Sequence, residues 1–67
     1  MKEDKQAICD ALLLALQKTR HVSDLISLRY DEKLEIVIAL FENRGTKLVN
    51  VAMDSGIAMI QDITEQL

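Results

Sequence analysis

Proline and tryptophan are absent from this chain, and cysteine, histidine, tyrosine and phenylalanine each occur once. A single thiol, Cys9, excludes a disulfide within the chain. One imidazole, His21, beside one thiol cannot complete a Cys/His zinc site. Cys9 falls on the apolar stripe of a helix and reads as a small core hydrophobe. His21, in a connecting segment, reads as a surface or capping residue. Glycine occurs only at positions 45 and 56, too sparsely for a phosphate-cradling loop. Ser55 stands in Asp54-Ser55-Gly56, which lacks the second glycine of a nucleophile elbow and has no histidine partner in view. With no nucleophile and base, no paired carboxylates in a cleft and no metal cluster, the chain reads as non-enzymatic and without a cofactor.

Positive charge is also in deficit. Eight Lys and Arg stand against 11 Asp and Glu, for a net charge of −3. Nucleic-acid binding needs clustered cations facing phosphate, and a membrane-surface helix needs a basic face, so neither partner is expected. Leu12-Leu13-Leu14 lies in an apolar stretch too short to span a membrane. The opening Met1-Lys2-Glu3-Asp4-Lys5 carries acidic residues that do not suit a secretory signal. A lone thiol with no such signal points to a reducing, cytoplasmic compartment.

What is present is hydrophobic content, 49% of 67 residues. That argues against disorder and for one domain, residues 1–67. A domain this small buries only roughly 60% of its unfolded surface, and such domains commonly rely on a disulfide, a metal or a partner subunit. That leaves a well-packed core or oligomerisation for this one.

The chain divides into five segments. Residues 4–19 form a helix capped by Asp4, with Ile8, Cys9, Leu12, Leu13, Ala15 and Leu16 on one stripe and Leu14 outside it. Residues 24–30, 34–42 and 46–53 are strands. Residues 54–67 form a second helix, capped by Asp54 or Ser55, with Ile57, Met59, Ile60, Ile63 and Leu67 inward. The fold class is α+β in the order α-β-β-β-α. A three-stranded antiparallel meander (order 1-2-3) is covered by two amphipathic helices packed mainly on one face.

The middle strand is apolar at both parities, so its register must come from the turns. A three-residue turn at 31–33 sets Tyr30 against Leu34 and Leu28 against Ile36, with Arg29 facing Glu35. A hairpin closed by Arg44-Gly45 sets Leu40 against Val49 and Ile38 against Val51. Both turns then assign Leu34, Ile36, Ile38 and Leu40 to the core. The opposite face carries Leu25, Val37, Ala39, Phe41, Leu48 and Asn50, an apolar patch with no covering element and hence the candidate interface.

The α-β-β-β-α order resembles the topology of double-stranded-RNA-binding domains. Those domains hold phosphates largely through lysines that open the second helix, and residues 54–67 contain no Lys or Arg. Topology alone does not carry the function across. The expectation is therefore a small protein that acts through protein–protein contacts, as a homodimer. One alternative is an acidic accessory or inhibitor protein, of the kind phage and mobile elements encode, in which Asp62 and Glu65 engage a basic partner. Another is anion or small-ligand binding at Asp54, Ser55 and Gly56, where a helix begins.

Overall fold

A computed structural model describes residues 4–67. Residues 1–3, on which the reading of the N-terminus partly rests, lie outside them. The elements are α1 (Lys5–Leu16), β1 (Leu25–Asp31), β2 (Ile36–Phe41), β3 (Gly45–Asn50) and α2 (Gly56–Gln66). The sheet is antiparallel in the order β1-β2-β3. The α+β meander expected from the sequence is the fold observed.

Local chemistry sets each end. Asp4 caps α1 by accepting the Ala7 N–H at 3.0 Å. The helix closes at Leu16, three residues earlier than its apolar pattern suggests. There Thr19 N–H and Lys18 N–H bond three residues back, and the Thr19 hydroxyl donates to the Leu16 carbonyl at 2.7 Å. Ser55 caps α2, its hydroxyl accepting the Ala58 N–H. The buried arc of α2 runs through Gly56, Met59 and Ile63. Ile57, expected inward, sits about 100° from that arc and is exposed.

The core consists of Cys9, Val22, Leu25, Leu28, Val37, Ala39, Phe41, Val49, Val51, Met59 and Ile63. Ile8, Leu12, Leu13, Leu16, Tyr30 and Leu67 pack around it. Removing each larger side chain from water contributes roughly 1.5–3 kcal/mol. Val22 comes from the segment read only as a break; it turns inward while its carbonyl accepts the Leu25 N–H.

The central strand is inverted relative to the sequence expectation. Val37 and Ala39 are 0% exposed and Phe41 4%, all beneath the helices. Ile36 and Ile38 are half-buried, and Leu40 is 39% exposed on the uncovered side. The cause lies in the two turns. Asp31 pairs with Ile36 across a four-residue loop, and Phe41 pairs with Gly45 across a three-residue loop. Each loop shifts its strand pairing by three residues from the expected one. An odd shift carries every side chain to the other face.

Both turns show why. Asp31 Oδ1 accepts from Lys33 N–H (2.9 Å) and Leu34 N–H (3.1 Å), and Glu35 takes a left-handed conformation at φ 53° to re-enter the sheet. Gly45, at φ 80°, stands after the second loop as the first residue of β3. That is the left-handed position which follows a three-residue hairpin loop and favours glycine. A bulge at Ile26 brings Leu25 into the core opposite Phe41.

Candidate interaction surface

Both helices lie on the Val37 side, so the other side of the sheet is bare. Across it β1 presents Asp31, Arg29 and Ser27. Their partners on β2 are Ile36, Ile38 and Leu40, and β3 adds Asn50, Leu48 and Thr46 beside these in turn. The centre is a continuous apolar ridge, Ile36-Ile38-Leu40, widened by Leu48, which is 59% exposed. The only charges in this array, Arg29 and Asp31, are of opposite sign. An antiparallel sheet that faces water on one side ordinarily alternates apolar-in with polar-out. β1 and β3 largely follow that rule, with Ile26 at the bulge and Leu48 as exposed exceptions, and β2 does not.

The candidate interface inferred from sequence therefore divides. Leu48 and Asn50 lie on the bare face. Leu25, Val37, Ala39 and Phe41 are core residues and offer no surface. Ile36, Ile38 and Leu40, read as core, take their place. The signal that could have found them is the glycine at position 45: a three-residue loop with Gly following it fixes the opposite parity.

At one end of this face Arg29, Tyr30, Asp31, Glu32, Lys33 and Ile38 line a shallow pocket of about 360 Å³. Two cations and two carboxylates share its rim, so it selects neither sign of ligand.

At the start of α2 the three residues considered for anion binding are committed elsewhere. The Ser55 hydroxyl serves as the cap, and Gly56 is a buried member of the first turn. Asp54 faces Asp62, whose carboxyl, poised to share a proton with it, raises its pKa; desolvation raises it further. The Asp54 Oδ2 atom is enclosed without a hydrogen-bond donor. Two carboxylates at this spot repel an anion. Asp62 is also spent inward and half-buried, which reduces the acidic outer face expected of α2.

Cys9 is fully buried, and burial, followed by the charge of Asp10, pushes its thiol up to about 11. His21 is exposed. Among the described residues no three His, Cys, Asp or Glu side chains come together as a metal site, and no helix is long and apolar enough to cross a membrane. Comparisons with protein-family models, with curated proteins and with solved structures each return no match.

Proposed function

We propose that this protein works by protein contact and not by catalysis, and that it does so as a homodimer in the cytoplasm. The observation that carries the reading is the bare sheet face with Ile36, Ile38, Leu40 and Leu48 on it. Apolar surface gathered on one side of a small domain is a common mark of an interaction site. The single cysteine is unpaired and no metal site forms among the described residues, so a second subunit would supply the supplement to the core that those give other small domains. The buried, unpaired thiol suits a reducing compartment. A net charge of −3 and a face whose one Arg is offset by Asp31 disfavour nucleic acid as the partner.

Gel filtration coupled to light scattering tests the reading. The expected mass is twice 7.6 kDa at tens to hundreds of micromolar. A mass of one chain throughout that range overturns it.

A further inference from the structure

The two edges of the sheet are not equivalent. The outer edge of β1 is plugged by side chains of and just beyond α1. Gln6 Oε1 accepts the Tyr30 N–H at 2.9 Å, and Gln6 Nε2 reaches the Leu28 carbonyl at 3.5 Å. Gln17 Nε2 donates to the Leu25 carbonyl at 2.9 Å. The Gln6 amide thus takes up two of the groups that a neighbouring strand would have used. Among the described residues nothing bonds to the outer backbone of β3, and five of its six residues are exposed.

The plugged edge also shows which β3 groups are free. Along a paired strand, alternate residues direct their N–H and C=O to opposite sides. Tyr30 N–H points outward to Gln6, so Arg29 and Asp31 bond inward to Ile38 and Ile36. On β2, Val37 and Ala39 then bond toward β3, a pattern continued by Val51 N–H donating to the Glu35 carbonyl. On β3, Lys47 and Val49 are used, and Thr46, Leu48 and Asn50 present their N–H and C=O outward.

We infer that β3 is the dimer contact: β3 of one copy pairs antiparallel with β3 of a second across a two-fold axis at Leu48, making one continuous six-stranded sheet. This rests on the homodimer reading above and places the contact at the Leu48 edge of the bare face, with Ile36, Ile38 and Leu40 outside the seam. The register follows from the groups available. Centred on Leu48, Thr46 of each copy meets Asn50 of the other, and Leu48 meets Leu48. Every outward N–H and C=O of both strands is then paired. Centring on Lys47 would set two ammonium groups opposite each other in the closer type of pair. Centring on Val49 would leave Thr46 unpaired. The Leu48 register also places two leucines side by side on the bare face, joining both apolar ridges across the axis. A two-fold contact of this kind is self-complementary and closed.

Amide hydrogen exchange, followed residue by residue at two protein concentrations on either side of the dimer midpoint, tests this on the unaltered chain. The expected result is that Thr46, Leu48 and Asn50 amides slow at least tenfold at the higher concentration. Concentration-independent exchange at all three, with the light-scattering mass still that of a dimer, overturns the β3 contact and leaves the homodimer reading standing. A monomer by scattering overturns both. Two variants add a second reading. Leu48→Lys is expected to be a folded monomer and Ile38→Lys a dimer. A dimeric Leu48→Lys, or a monomeric Ile38→Lys, overturns the edge pairing.

Discussion

Arg44 grips Asp24 in a fork, its Nη2 donating to Oδ1 at 3.0 Å and its Nε to Oδ2 at 3.2 Å. The same guanidinium lies over the Phe41 ring, 4.1 Å from the ring centre. One residue therefore ties the turn before β1 to the turn before β3 and roofs one end of the core. The carboxyl of Asp24 is held below its usual range, chiefly by the hydrogen bond from Arg44.

A depressed carboxyl stabilises the fold above its unfolded value near 4 and loses that contribution as pH falls through the folded one. Arg44→Met is expected to lower the denaturant midpoint at pH 7 and to flatten its fall in acid. The lost ring contact alone accounts for about 0.5–1 kcal/mol. Urea unfolding of both proteins between pH 2 and 7 checks this; parallel curves would contradict it.

Val37 and Ile38 make the inverted strand testable with adjacent substitutions. Val37→Asp places a carboxylate in the core and is expected to cost more than about 4 kcal/mol, enough to unfold a domain of this size. Ile38→Asp, half-buried on the bare face, is expected to cost only about 1–2 kcal/mol. Circular dichroism with urea titration reads both.

The same two residues show what was legible from sequence. From Ser27 onward β1 alternates polar with apolar, which assigns Leu28 inward and Arg29 outward; on β3 and just beyond it, Val49 and Val51 share one parity while Thr46 and Asn50 set the other, which carries Leu48 outward with them. The helix caps Asp4 and Ser55 declare themselves by residue type and place. β2 is apolar at every position, and hydrophobicity assigns neither face. Its register rested on two loop lengths, each misjudged by an odd number of residues. Because both errors had the same parity, the two hairpins still agreed with each other, and that agreement carried no information about which face was inside. Glu35, a non-glycine residue in the left-handed region, gave no warning of the longer first loop. The anion-binding reading of Asp54 meets a different obstacle, the carboxyl of Asp62 eight residues on, which the sequence did not place beside it.

Asp54 predicts the opposite pH behaviour from Asp24. Its raised carboxyl stabilises the fold at low pH, where a proton bridges it to Asp62, and that contribution is lost as pH rises through the raised value. Asp54→Asn is expected to raise the thermal midpoint at pH 7 and to leave it unchanged near pH 3. An equal effect at both pH values would show that the paired carboxyls are not the cause.

Cys9 is expected to be inert in the folded chain. A thiol moved from 9.0 to about 11 has its thiolate fraction at pH 8 cut on the order of 100-fold. Labelling with an aromatic disulfide reagent is expected to proceed only as fast as urea opens the core. Rapid labelling without denaturant would mean that α1 lifts from the sheet in the native state.

The glutamine plug on β1 has a consequence for how far this chain can assemble. A sheet with two receptive edges can add copies without limit and grow into a fibre. Here Gln6 and Gln17 obstruct growth on one side, and the inferred pairing of β3 with its copy would end it on the other. In the inferred dimer, edge-to-edge addition would stop at two subunits, so the apolar central strand would be carried without a route to open-ended polymer along the sheet. The side-chain amide of Gln6 acts as a chain terminator.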